Sequence, residues 1–547
     1  MRKFWLYFLF ILLGVNISFS QSTIDKYWIK FIDKSNNNYS LERPEEFLSA
    51  RSLERRSRQN IEITEQDLPV SQLYLDSLKS IGIKVLNTSK WFNSAVVKSE
   101  DLVLPDAFES LSFIIEYQKV FSEISLKSKI EKFNSTISKG QVTNNSLYGM
   151  GYEQISLSQG NFLHELGYRG EGIMIAVLDA GFYNANYLPA FDSLWANSQI
   201  LGHRNFVDDQ QNIFESHPHG MYVLSIMGGN IPGQLVGTAP DASFWLLRSE
   251  DTSSEFLIEE DNWVAAAEFA DSIGADIINS SLGYYEFDDP EMNHSYADMD
   301  GKSTRVSIGA NIASSKGILV VASAGNEGND PWHYIIAPSD AEGVLSIGAV
   351  DSLDNKAEFS SFGPSSDGRI KPDVTSMGKA DAFQGTNGYV VRGNGTSFSS
   401  PVLAGLAACL WQGFPQASNF DIAEAIIKSA RYYSSPDASV GHGTANFLLA
   451  YQHLKVLYSS NFHNEASLFP NPVDDYFTII VPNDPNSGIE MRLFNSAGQL
   501  VRQDSFKSTD QEIFITTTSG LSNLNSGTYI LKIFTGNETY TKKIIKL

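Results

Sequence analysis

The sequence predicts a doubly wound α/β domain, a parallel sheet with helices on both faces, preceded by a small α/β unit and followed by a small β-sandwich. Three observations carry this reading. Between Tyr148 and Tyr458, short β-branched runs nearly free of charge alternate with helix-length stretches, as strands buried on both faces require. From residue 465 to 547 the apolar runs are short and separated by Gly, Asn, Asp and Ser turns, an all-β pattern. The stretch 121–147 is polar and rich in Ser, Lys and Asn, and reads as a linker.

Residues 1–20 begin the chain with Arg2 and Lys3, then the apolar run Phe4 to Leu13, then Ser18-Phe19-Ser20. A basic start, a short apolar core and small residues two positions apart read as a secretory signal peptide, too short to span a membrane. The formal charge of −23 excludes a nucleic-acid partner and gives a well-solvated surface. A single cysteine, Cys409, rules out an intrachain disulfide, so an exported chain must be stabilised by packing or bound ions. Cys409 itself lies in an apolar helical stretch and reads as a small core residue.

Residues 21–120 form the small α/β unit. Tyr27, Ile29 and Phe31 alternate as in a strand, Gln72 to Ile81 has helical spacing, and Lys84 to Leu86 and Ser94 to Val97 read as strands. Arg51, Arg55, Arg56 and Arg58 read as a solvated helix face, with processing or an acidic docking surface as the other readings.

In the central stretch the strands are Ile173 to Leu178, Phe244 to Leu247, Ile277 to Asn279, Ile318 to Ala322 and Val344 to Ile347. Asp261 to Ile273, Arg305 to Lys316 and Asp421 to Ala430 are helix-length. In such a sheet the site lies beyond the carboxyl ends of the strands. Asp179, Ser281-Leu282-Gly283 and Asn326 all follow strands directly, although each alone is an ordinary turn or loop residue.

Gly393-Asn394-Gly395-Thr396-Ser397-Phe398-Ser399-Ser400-Pro401 enters an apolar helix in which Val402, Leu406 and Leu410 recur at helical spacing. A helix N-terminus has unpaired N–H groups that favour negative charge, so Ser397 sits well for a nucleophile, and equally well for a capped core helix. A serine nucleophile needs a base, and the base needs a carboxylate to fix its tautomer. His219, in His217-Pro218-His219-Gly220, and Asp179 supply both, in the chain order Asp, His, Ser. The α/β-hydrolase elbow is excluded because position 399 is Ser where Gly is required. His217 is followed by Pro and reads as a cleft-edge loop residue; His164-Glu165 lacks the second His of a zinc helix, so no metal ligands are assigned.

Four stretches, Val177 to Gly181, His219-Gly220, Ala324 to Gly328 and Gly395 to Pro401, resemble the subtilase family of subtilisin-like serine peptidases. Val236 to Pro240 and Lys371 to Val374 add to the resemblance, which covers residues 148–458. It implies that Ser397 is the nucleophile, His219 the base, Asp179 its orienting carboxylate, and Asn326 with the Ser397 amide the oxyanion hole. It further implies that Ser281, Leu282, Gly283, Ser323, Ala324 and Gly325 line the substrate cleft, and that no cofactor is needed for catalysis. A structural calcium is left unassigned, since acidic loops such as Asp288-Asp289 show no ligand spacing. Ala180 and Met221-Tyr222 depart from the usual family residues without removing a catalytic group.

Residues 21–120 resemble a subtilase prodomain, which implies a precursor whose own N-terminal unit is a partner. The segment 465–547, through Leu468 to Pro472, Gly527-Thr528-Tyr529 and Lys542 to Ile545, is similar to the sorting domain of the type IX secretion system; a carbohydrate-binding or adhesive module has the same patterning. The expected protein is an exported endopeptidase acting on proteins or peptides; the alternative is a cell-surface binding protein on an inactive subtilase scaffold. Glu250 to Asp261, rich in carboxylates, is expected at the cleft rim, or with Glu259 to Asp261 at a helix N-terminus.

Overall fold

The computed structural model describes residues 25–100, 103–123, 133, 137–139, 147–208, 210–458, 466–469, 471–473, 477–482, 487–507, 513–518, 520–521, 523–536 and 538–546. The leader read over residues 1–20 and most of the 121–147 linker lie outside them. The chain forms two compact units that divide between Phe447 and Leu448. Among the described residues no helix is long and apolar enough to cross a membrane.

The N-terminal part of the first unit holds strands β1 (Asp25–Phe31), β2 (Lys84–Ser89), β3 (Ser94–Lys98) and β4 (Ile114–Ser122), with helices α1 (Ala50–Arg58), α2 (Gln72–Ser80) and α3 (Leu104–Glu109). The antiparallel sheet runs β2-β3-β1-β4. Successive strand residues point to opposite faces, so Ile29, Phe31, Ala95 and Val97 pack with Leu78 and Phe108 while Trp28, Val96 and Val120 face the other way. That second face joins the core of the central domain around Phe256 and Trp263.

The solvated face read for the arginines is corrected for two of them. Arg55 and Arg56 are each 1% exposed and meet Asp271 at 2.6 and 2.8 Å, while Lys90 reaches the same carboxylate at 2.9 Å. Arg56 and Lys316 also pair with Asp67, at 2.9 and 3.1 Å. Sequence alone could not see this, because the carboxylate that draws the arginines in lies over two hundred positions away.

The central sheet is built of β5 (Met174–Asp179), β6 (Ile200–Asn205), β7 (Ser243–Arg248), β8 (Ile277–Ser280), β9 (Leu319–Ser323), β10 (Val344–Val350) and β11 (Val374–Met377). All neighbours pair in parallel in the order β11-β10-β9-β8-β5-β7-β6. The five predicted strands are present, and the two missed ones are the edges. Strand β6 carries Gly202, His203 and Arg204 and is half exposed, so it lacks the apolar run that marks a central strand. Helices α4 (His219–Gly228), α5 (Ile258–Ile273), α6 (Arg305–Ser315), α7 (Thr396–Gly413) and α8 (Asn419–Lys428) cover the sheet. The Thr304 side chain accepts from the Ser307 amide to start α6, and a capping box between Ser418 and Asp421 starts α8. A hairpin of β12 (Lys379–Gln384) and β13 (Val390–Asn394) leads directly into α7.

The second unit begins within helix α9 (Phe447–Tyr458) and holds two antiparallel sheets. One contains β14 (Ser467–Phe469), β15 (Phe477–Pro482) and β18 (Ile513–Thr518). The other contains β16 (Ile489–Phe494), β17 (Leu500–Phe506), β19 (Gly527–Thr535) and β20 (Glu538–Lys546). Phe477, Ile479 and Val481 from one and Met491, Leu531 and Ile533 from the other share one core, which makes the unit a sandwich.

Burial alone would raise the Asp271 carboxyl, but Lys90, Arg55 and Arg56 hold it below the usual carboxylate range. Its contribution is therefore present above the unfolded value of about 4 and lost as pH falls below it. In an uncleavable Ser397→Ala precursor, Asp271→Ala should weaken the docking of α1 by about 3–5 kcal/mol, the cost of stranding buried charge. Hydrogen exchange of α1 measures this, with faster exchange expected at neutral pH and a smaller difference from the parent near pH 3.

Candidate active site

Strand β5 sits where the chain reverses direction across the sheet, with β7 on one side and β8 on the other, so its carboxyl end opens a crevice. Asp179 is the last residue of β5 and fully buried. Its Oδ1 accepts from the Ala180 amide at 2.7 Å and pairs with His219 Nδ1 at 2.8 Å. A neutral imidazole meeting a carboxylate at Nδ1 carries its proton there, which leaves Nε2 as the acceptor.

His219 opens α4, a helix the sequence did not announce because all ten of its residues are buried and no polar face marks a period. The glycine after it is a packing requirement. A Cβ at position 220 would lie 2.5 Å from the Gly181 carbonyl oxygen and 2.8 Å from Asp179 Cβ, so only glycine lets α4 come down onto Asp179. His217 holds the approach, its Nδ1 accepting from the His219 amide at 3.3 Å. Burial, helped by His219, lowers the His217 pKa to about 4, so it is neutral near pH 7.

Ser397 is the second residue of α7, after Gly395 at φ +154°, a conformation that side chains rarely adopt. Pro401 has no N–H to give the carbonyl four residues back, which is that of Ser397. Ser281 Oγ supplies the missing donor at 2.9 Å. Asn326 Oδ1 accepts from the Thr396 amide at 2.8 Å and from Thr396 Oγ1 at 3.0 Å. Because a backbone amide only donates, this fixes the orientation of the Asn326 side chain and leaves its Nδ2 as a donor beside the helix end. Among the described residues neither Asn326 Nδ2 nor the Ser397 amide has an acceptor. The hydroxyl makes a long hydrogen bond of 3.4 Å to the Ser281 carbonyl and none to His219.

Ser397 and Asn326 line a cleft of about 220 Å³ together with Ser281, Leu282, Gly283, Ser323 and Gly325. Ala324, predicted beside them, is fully buried and outside the lining. Glu250 and Glu255 also line the cleft, as the rim reading of that stretch expected. Glu259, Glu260 and Asp261 lie in the first turn of α5, as the other reading expected, with Glu260 2.5 Å from His294 and Asp261 2.7 Å from Arg305. Glu250, Glu255 and Glu259 bring one carboxylate oxygen each within 4.8 Å of one another, an oxygen-rich cluster of the kind hard cations use.

Two features of the site escaped the sequence. The Phe133 ring lies tilted against His219 with centroids 4.4 Å apart, and stacks on His217 at 4.8 Å. Ser138 and Lys139 pair as a short antiparallel strand with Arg392 and Val391 of β13. The signal for the first was available: Phe133 is the lone aromatic residue in the polar stretch 122–147.

Three family models match the chain: the subtilase family over residues 170–443, a peptidase S8 propeptide domain of Bacteroidota over 26–136, and a secretion system C-terminal sorting domain over 467–547. Among curated proteins the chain is 27% identical over 332 residues to the membrane-bound transcription factor site-1 protease of Mus musculus, covering 58% of this chain and 28% of that protein. It is 26% identical over 343 residues to a thermostable alkaline protease of Halalkalibacterium halodurans, covering 62% of this chain and 84% of the relative. The chain thus spans little more than a quarter of the mammalian relative's length. A crystal structure of MycP1 from the ESX-1 type VII secretion system aligns with a TM-score of 0.45 and 22% identity, over 59% of this chain and 90% of that one.

The close fit at position 220 gives a direct expectation. Gly220→Ala should push His219 off Asp179 and lower kcat on the order of 10²-fold, the scale for misplacing a reacting group by about 1 Å. Steady-state kinetics on a peptide substrate, beside a circular dichroism spectrum matching the parent, checks it.

Proposed function

The chain belongs to the subtilase family, and from that premise we propose that it is a secreted serine endopeptidase, made as a precursor and exported with the help of its C-terminal sorting domain. The observation that carries the catalytic reading is the 2.8 Å pair of Asp179 and His219, whose imidazole lies 6.1 Å from the ring of Phe398, the residue after Ser397 at a helix end where two donors have no acceptor. Ser397 Oγ attacks the scissile carbonyl carbon as His219 Nε2 takes its proton, and Asp179 stabilises the imidazolium that results. The negative oxygen is received by the Ser397 amide and Asn326 Nδ2, donors already in place and needing no reorganisation. Collapse breaks the C–N bond, with His219 giving its proton to the leaving amine. Water, activated by the same histidine, then releases the acyl group. No metal or organic cofactor enters these steps.

A serine-directed phosphonate should label Ser397 and nothing else in the processed enzyme. Ser397→Ala and His219→Ala should each lower kcat on the order of 10⁶-fold, because the groups act as a unit. Asn326→Ala should cost less, about 10²- to 10³-fold, the scale of one oxyanion donor. Undiminished hydrolysis by the Ser397→Ala protein would reject the assignment in favour of a binding protein with a contaminating activity.

The export reading rests on the match of residues 467–547 to a sorting domain and on the leader pattern at the N-terminus. The route proposed is passage through the periplasm and then outward by the type IX machinery. The sandwich has its own core, so deleting residues 465–547 should leave an active peptidase retained in the periplasm. Fractionation with activity assays tests this, and a normal yield in the medium would contradict it.

A further inference from the structure

Three lysines of the N-terminal sheet stand in one row. Lys98 of β3 is the register partner of Lys84 on β2 and of Lys26 on β1, so three like charges lie side by side on adjacent strands. Like charges directly opposite one another weaken a sheet. Lys26 lies two positions before Trp28 and Lys98 two after Val96, which puts the row on the face turned to the central domain. There the lysines border a cavity of about 920 Å³ whose other wall carries Arg204 of β6 and Arg248 of β7. Five cations line this one space, against the two carboxylates Asp208 and Asp251.

We propose that the cavity is a binding site for a compact polyanion carrying phosphate or sulfate groups, held between the N-terminal unit and the central domain. Its walls come from two parts of the chain, so the ligand binds only while they are docked and by mass action retains the N-terminal unit. The site shares no lining residue with the cleft at Ser397.

The way these cations are satisfied points to an anion. Elsewhere at the same interface Arg55, Arg56, Lys90 and Lys316 each meet Asp271 or Asp67 within 3.1 Å. Among the described residues none of the five has a carboxylate at ion-pair distance. Lys26 rests its ammonium over the Phe121 ring at 4.1 Å, and Arg204 its guanidinium over Phe206 at 4.8 Å. Arg248, only 4% exposed, donates to the neutral oxygens of Ala180 and Gln211. Ring faces and amide oxygens orient a cation without cancelling its charge. Burial lowers the pKa of Lys26, with Lys98 acting in the same direction, and it lowers that of Arg204. Asp251 and Asp208 offset part of this at Lys26 and Arg248 from longer range. In a chain of net charge −23 this positive potential is confined to one place. Planar arginine forks and compact ammonium groups are the donors that phosphate and sulfate oxygens take.

The test uses the full-length Ser397→Ala chain, which keeps its N-terminal unit whether or not Ser397 is a nucleophile, so the result is independent of the peptidase reading. Inorganic tripolyphosphate and sucrose octasulfate are titrated calorimetrically, with sodium chloride at matched ionic strength as the control. One equivalent of probe is expected to bind with micromolar affinity, raise the melting temperature and slow hydrogen exchange in β1 and β3. Tighter binding of tripolyphosphate identifies a phosphate chain as the ligand, and tighter binding of the octasulfate a sulfated saccharide. Lys84→Gln, at an exposed position, should weaken binding about tenfold, and Lys26→Gln with Lys98→Gln by more. Without probe these variants should melt at or above the parent's temperature, because each loses a like-charged neighbour, whereas lysines with a merely structural role would lower it. Arg204→Gln should weaken binding from the other wall. No saturable binding, stabilisation that sodium chloride reproduces, or unchanged affinity in either the lysine or the arginine variants overturns the site.

Discussion

A buried helix has to end somewhere its orphan amides are satisfied, and the N-terminus of α7 is where this fold meets that requirement. Val402, Leu406 and Leu410 are fully buried, so the helix runs through the core and cannot leave its first turn in water. Loops from two neighbouring strands reach it instead. Asn326, after β9, binds the Thr396 amide, and Ser281, after β8, binds the Ser397 carbonyl that Pro401 leaves without a donor. Those bonds tie the helix end to the carboxyl edge of the sheet, beside Asp179 on β5. The amide of Ser397 and the Nδ2 of Asn326 remain over. A structural cap that consumes one half of an amide side chain leaves the other half as a fixed donor, so the bond that secures the helix end also orients a free N–H beside it.

The N-terminal unit docks through two kinds of physics with different consequences. Its sheet has two apolar faces, and the one bearing Trp28, Val96 and Val120 is covered only by the central domain. That burial supplies affinity roughly in proportion to area. The charge cluster of Arg55, Arg56, Lys90 and Asp271 adds little net affinity, since every member gives up water to enter it. What it adds is discrimination: a unit docked out of register would strand Asp271 against no cation at a cost of several kcal/mol. The arginines therefore set where the sheet lands, and the apolar face sets how firmly.

Both the elements and the catalytic groups were largely readable in the sequence, and the failures share one cause. Central strands such as Ile277 to Asn279 are legible because burial on both faces forces a run of apolar residues. Strand β6, exposed on its outer edge, and α4, buried all round, lack the contrast between faces that makes a period visible. Asp179, His219, Asn326 and Ser397 stood out because each has glycine or a strand end close by, and those leave local marks. Arg55 was misplaced and Phe133 passed over because their partners are distant in sequence. A residue whose role is defined by a remote contact has no neighbourhood pattern to betray it.

In the arrangement seen here Asp179 and His219 are already joined at 2.8 Å, and the donors for an oxyanion already stand beside Ser397. Only the hydroxyl is elsewhere, on the Ser281 carbonyl at 3.4 Å, a weak bond that a single side-chain rotation replaces within nanoseconds. The Phe133 ring lies against His219, and Ser138 pairs with Arg392 on β13, so both faces beside the helix end are covered in this arrangement. Those contacts are ring packing and a short ladder at the strand edge, whereas the helix end and the histidine are each held by bonds of their own, from Asn326 and from Asp179.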